Sequence, residues 1–161
     1  MGTLCPFPRK NSTGKFLGRN VGSVLRKQVR GTMKKVTVLV VDSECELRAA
    51  LRLCLEREGF VIFDAGNSAD AMAVMRDEHP DILLMEISFP GMDGIDLVEK
   101  VKLAWGIPII ALMARPEMEI MRRASEAGAD AIFLKPCSMN PIISTMKRML
   151  PQEKEGKGQQ N

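Results

Sequence analysis

The chain is predicted to fold as an α/β domain around a doubly wound parallel sheet, with five strands each followed by a helix. Three observations carry that expectation. From residue 36 onward, strand-length apolar runs alternate with segments of helical periodicity. The runs are nearly continuous in apolar residues, as strands covered on both faces are. None is long enough to cross a bilayer. At 161 residues, with 45% hydrophobic and 27% charged content, the chain is the size of one core with short extensions.

The elements follow in order. Val36 to Val41 is the first strand, and Leu47, Leu51, Cys54 and Leu55 then recur at helical spacing up to Gly59, which suits a left-handed helix end. Phe60 to Phe63 is the second strand. Asn67 or Ser68 offers an N-cap for a helix whose Ala71, Met72 and Met75 face inward. Ile82 to Met85 is a fully apolar third strand, and Ile95, Leu97, Val98 and Val101 mark the next helix. Ile107 to Met113 is the fourth strand, Glu117 to Ala127 the fourth helix before Gly128, and Ala131 to Leu134 the fifth strand. Asn140 and Pro141 supply an N-cap and a first-turn proline for a last helix ending near Leu150.

Charge divides the chain into three stretches. Residues 1–35 hold nine Lys/Arg and no acid, which reads as a basic arm, flexible or partly helical. Residues 36–150 form the expected domain, and residues 151–161 a disordered polar tail. Beyond the arm there are 14 basic and 20 acidic residues, a net of −6, which argues against nucleic-acid binding by the core. Within the arm, Leu17, Val21, Val24, Leu25 and Val29 oppose Lys15, Arg19, Arg26 and Arg30, a pattern suited to an anionic membrane surface, a partner or a targeting sequence. The cysteines Cys5, Cys45, Cys54 and Cys137 form no CxxC, and with one histidine, His79, no zinc site is expected. Reduced, mostly buried thiols in a cytoplasmic protein are the simplest reading, with a Cys45–Cys137 redox pair as a second one.

In a doubly wound sheet, ligands bind beyond the carboxyl ends of the strands. Those positions hold Asp42, Ser43 and Glu44 after the first strand, Glu86 after the third, Met113 and Ala114 after the fourth, and Lys135 and Pro136 after the fifth. No glycine-rich phosphate cradle stands there, which removes dinucleotide and P-loop chemistry.

Four segments carry a resemblance: Val40-Val41-Asp42, the run PDILLMEISFPGMDG from Pro80 to Gly94, Glu126-Ala127-Gly128-Ala129-Asp130, and Leu134-Lys135-Pro136. Together they resemble the receiver domains of bacterial response regulators over Val36 to Leu150. The resemblance implies a (βα)5 flavodoxin-like three-layer sandwich of strand order 2-1-3-4-5 and a place in two-component or phosphorelay signalling. In that family an aspartate after the third strand accepts a phosphoryl group from a histidine kinase. Two acidic residues after the first strand help to hold Mg²⁺. A lysine after the fifth strand pairs with the carboxylate or phosphoryl group, a Ser/Thr after the fourth hydrogen-bonds it, and an aromatic ring on the fifth reports the change.

This chain keeps part of that pattern. Asp42 matches the first acidic position and Lys135 the lysine, but Ser43 stands at the second acidic position and Glu86 at the acceptor. Glu86 moves the carboxylate outward by about 1.5 Å, and misplacement on the order of 1 Å can cost ~100-fold in rate. Met113 replaces the hydroxyl and Ile132 the aromatic. Mg²⁺ is therefore expected to bind weakly or not at all, through Asp42 and Glu86 if anywhere, with no other cofactor. Lys135 with Asp42 and Glu86 reads as a structural ion-pair cluster, and Glu44 as a capping or solvated residue.

The resulting expectation is a stand-alone, degenerate receiver: no enzyme, and independent of phosphorylation. It would act by contact with a signalling protein such as a histidine kinase or a downstream effector. The family's helix four, strand five and helix five, Glu117 to Leu150, would be the contact face. Two alternatives stand beside it. One is a regulator still controlled through the phosphorelay, or one in which Glu86 mimics the phosphorylated state. The other is a flavodoxin-like enzyme or flavin carrier. Because many receivers begin as Met33-Lys34-Lys35-Val36 does, residues 1–32 also read as an over-extended start.

Overall fold

The computed structural model describes residues 34–89 and 92–151; the expectations for residues 1–32 and for the tail beyond 151 lie outside them. Five strands, β1 (Thr37–Val41), β2 (Val61–Ala65), β3 (Ile82–Glu86), β4 (Ile109–Met113) and β5 (Ala131–Leu134), form one sheet of order β2-β1-β3-β4-β5. All four pairings are parallel. The helices are α1 (Cys45–Arg57), α2 (Ser68–Glu78), α3 (Gly94–Trp105), α4 (Met118–Ala127) and α5 (Met139–Met149). The expected α/β architecture and strand order are those observed.

Alternation along each strand explains why both faces must be covered. Val38, Val40, Ile62, Ile82, Leu84, Ile110 and Leu112 pack under Leu51 and Leu55 of α1 and Ile142, Ile143 and Met146 of α5. The intervening Leu39, Val41, Leu83, Met85 and Ile109 pack under Ala71, Val74 and Met75 of α2 and Leu97, Val98 and Val101 of α3. Successive strand side chains point to opposite faces, so a strand apolar at every position needs helices on both. Every residue of β3 and β4 is buried, so the site-bearing ends of these strands lie on the fully covered centre of the sheet.

Local details sharpen the expected boundaries. Asn67 is the N-cap of α2, its side chain accepting from the Asp70 amide. Asp81 of the Pro-Asp pair works at the far end of β3 from the site: its Oδ2 accepts from the Thr37 amide at 2.9 Å and from Thr37 Oγ1 at 2.8 Å, tying β3 to β1. The last helix starts earlier than expected, with Ser138 at the N-cap and Asn140 already inside. Pro141 falls in the first turn, where its missing amide would have no intrahelical partner in any case. A two-stranded antiparallel ribbon, Ser88–Phe89 with Met92–Asp93, was not expected.

That ribbon folds the chain back so tightly that α3 must begin with glycine: a Cβ on Gly94 would lie 2.2 Å from the Ile87 carbonyl oxygen. Gly94→Ala is therefore expected to lose at least about 2 kcal/mol in urea unfolding. Gly59→Ala meets no atom within 4 Å and strains only a φ of +91°, so its loss should stay near 1 kcal/mol.

Candidate functional site

The parallel sheet brings the ends of β1, β3 and β5 to one edge, and with them Asp42, Glu86 and Lys135. Asp42 and Glu86 are buried, at 1% and 6% exposure. Lys135 Nζ lies 2.8 Å from Asp42 Oδ2 and 3.3 Å from Glu86 Oε1, so one ammonium serves two carboxylates. Asp42 also accepts the Glu44 amide on Oδ1 at 2.9 Å, and both its oxygens are thereby engaged. Burial, then the nearby Asp42 charge, push Glu86 above the ordinary glutamate range against the pull of Lys135. Burial alone would lower Lys135, but the Asp42 hydrogen bond and the two carboxylates outweigh it and hold the lysine above its usual value.

The other expected positions divide between rim and interior. Ser43 and Glu44 are exposed on the turn between β1 and α1. Glu44 occupies the N-cap of α1 but makes no side-chain cap. Met113 is buried, within an apolar cluster of Ile87, Ile95, Ala111 and Ala124, and Ile132 packs half-buried against that cluster. A thioether beside aliphatic groups offers no hydrogen bond to an anion. Asp96 stands in the first turn of α3, where a carboxylate favours the helix dipole.

The thiols require a correction. Cys54 is free and exposed, and Cys137 is free and half-buried. The expected burial fails at Cys54, and Cys137, being free, does not pair with Cys45. Burial pushes the Cys137 thiol up, away from the reactive thiolate. Among the described residues no group of three or more His, Cys, Asp or Glu is arranged to hold a metal, and no helix is long and apolar enough to cross a membrane.

A second polar cluster beside the site escaped the sequence reading. Asp64 on β2 accepts from Arg48 Nε at 3.2 Å and from Arg52 Nη2. Arg48 Nη1 donates to the carbonyl oxygens of Asp42 at 2.7 Å and Ser43 at 3.2 Å. The signal was a carboxylate sharing a strand face with buried Ile62, opposite a helix carrying arginines one turn apart.

Two stability predictions follow from the charge balance. Lys135→Met leaves two buried carboxylates without their cation and should cost about 2 kcal/mol at neutral pH, below the roughly 3–5 kcal/mol of a fully buried pair because Lys135 keeps some solvent contact. Glu86 has a raised folded-state pKa, so the folded state binds its proton more tightly than the unfolded one. Its ionisation therefore costs stability as pH rises above the ordinary glutamate value of about 4.3. Glu86→Gln should accordingly match or exceed the wild type near neutrality, by up to about 1 kcal/mol, and lose that advantage in acid. Urea unfolding of the three proteins across pH reads both effects.

Comparison with known proteins agrees with this architecture. The model of the response regulator receiver domain family matches residues 38–147. Sporulation initiation phosphotransferase F of Bacillus subtilis is 31% identical over 120 residues, covering 74% of this chain and 97% of that protein. The phosphate regulon transcriptional regulatory protein PhoB of Pseudomonas aeruginosa is 35% identical over 117 residues, covering 71% of this chain but only 51% of the relative, so the chain spans about half of that regulator. Among solved structures, a CheY-like response regulator receiver domain protein from Methanospirillum hungatei superimposes with a TM-score of 0.68 at 27% identity, covering 71% of this chain and 93% of that one. The chemotaxis protein CheY4 of Vibrio cholerae gives a TM-score of 0.68 at 22% identity over 73% of this chain and all of that one, a likeness of fold. With the matched family model spanning most of the sheet and helices, this chain belongs to the response-regulator receiver family.

Proposed function

We propose that this receiver signals by binding a partner protein without being phosphorylated. The observation that carries the reading is the shared Lys135 ammonium. It engages Asp42 and Glu86 together, so one of the two negative charges that a metal would otherwise neutralise is already met by a tethered cation. Mg²⁺ demands near-octahedral oxygen ligation. The residues present do not fit it: both Asp42 oxygens are engaged within the chain, and a neutral hydroxyl stands at position 43. Glu86 carries its carboxylate one methylene too far for the family's acceptor geometry. Met113 and Ile132, set in or against an apolar cluster, have no polar group with which to follow a phosphoryl oxygen.

The module is then a docking device rather than an enzyme. Its partner is a signalling protein, a histidine kinase or an effector, met through α4, β5 and α5. Met118 at 79% exposure and Leu134 at 41% support that surface, since both are apolar and open to solvent. A second reading is favoured by the Glu86–Lys135 ion pair alone: the longer carboxylate places charge on the lysine as a phosphoryl group would, and the site mimics the activated state.

Incubation with labelled acetyl phosphate and Mg²⁺ is expected to leave the protein unlabelled; stable incorporation that Glu86→Gln abolishes would overturn the proposal. The two readings part on output. Without a phosphoryl mimic, Glu86→Asp and Glu86→Gln leave basal signalling within about twofold, whereas mimicry requires Glu86→Asp to lower it and Glu86→Gln to abolish it.

A further inference from the structure

We propose that Arg48 is the positioning residue of this site, holding the turn after β1 through its main chain in the role that a bound metal would otherwise fill. This rests on the reading that no divalent cation organises the turn. The aim of Asp42 depends on the peptides around it, because its Oδ1 accepts from the Glu44 amide while Oδ2 meets Lys135. Arg48 fixes those peptides. Its Nη1 takes the carbonyl oxygens of both Asp42 and Ser43, and a charged donor makes such bonds stronger than neutral ones.

Arg48 is itself held in one place by two further contacts. Its Nε donates to Asp64, whose other oxygen is taken by Arg52, and Arg52 Nη1 in turn donates to the Ile62 carbonyl at 2.8 Å. The guanidinium also lies close over Gly66: a Cβ there would stand 3.3 Å from Nη1, 3.5 Å from Cζ and 3.6 Å from Nη2. The planar fork thus spans α1, the end of β2 and the loop before α2. A lysine could keep the charge but not the simultaneous bonds to a carboxylate and two carbonyls.

The geometry yields a test with two routes to the same defect. Arg48→Met removes the fork, while Gly66→Val keeps every charge and displaces the guanidinium by bulk. In the full chain, amide exchange followed by NMR should show the Glu44 amide opening about tenfold faster in both variants. The Leu39 and Val40 amides of β1 should stay unchanged, and Arg48→Lys should fall between. The Lys135 ammonium resonance should shift in Arg48→Met, a change that a loss of global stability alone does not produce. Unchanged Glu44 exchange, or an equal acceleration along all of β1, overturns the role of Arg48. Mg²⁺ added to the wild type separates the two layers: no protection of the turn accords with the proposal. Protection by Mg²⁺ would overturn the metal-free reading, and with it the idea that Arg48 acts in the metal's place.

Discussion

Two carboxylates and one ammonium meet where β1, β3 and β5 end, and the surrounding structure is arranged to make that meeting tolerable. A carboxylate removed from water needs a cation and hydrogen-bond donors at hand. Asp42 has both, in Lys135 and the Glu44 amide. Glu86 has the longer contact to the same lysine, and burial, then the Asp42 charge, raise its pKa against that pull. The sheet supplies the geometry: β3 lies between β1 and β4 with all five residues buried, so Glu86 has little freedom to swing outward. The cluster is therefore a fixed internal network in which Lys135 offsets the repulsion between two buried carboxylates.

This network gives the four departures from the family pattern a common physical sense. Ser43, Glu86, Met113 and Ile132 stand where the family resemblance implies an acid, an aspartate, a hydroxyl and an aromatic ring. On the proposed reading, each weakens phosphotransfer. Together they leave two buried carboxylates that share one ammonium, beside an apolar cluster that joins β4 to α4. On the proposed reading, the contact surface of α4, β5 and α5 has no chemical trigger at the site, and occupancy by a partner is a matter of affinity and concentration.

Much of this was legible in the sequence, for reasons that differ by level. The strands could be read because both faces of the sheet are covered, which leaves runs such as Ile82 to Met85 apolar throughout. The site residues could be read because a parallel sheet gathers its strand ends on one edge, so short motifs far apart in the chain become neighbours. What escaped depended on contacts across elements. The Arg48–Asp64–Arg52 cluster requires the register of β1 with β2 and the azimuth of α1, neither of which a local pattern encodes. The start of α5 was misread because Asn140-Pro141 is as good a local start signal as Ser138, and packing of Met139 against the core decides between them. Cys54 follows the apolar spacing of α1 yet lies on its exposed side, since spacing alone does not separate the edge of a stripe from its centre.

On the proposed reading, the site is complete without metal or phosphoryl group. A titration with Mg²⁺ and beryllofluoride, which stands in for a phosphoryl group on a carboxylate, addresses it most directly when followed by amide and lysine NMR signals. No saturable shift is expected at Ser43, Glu44, Glu86 or Lys135 with either addition. Saturable shifts at Glu86 and Lys135 that require both Mg²⁺ and beryllofluoride, and that spread to Ile132 and α4, would contradict it.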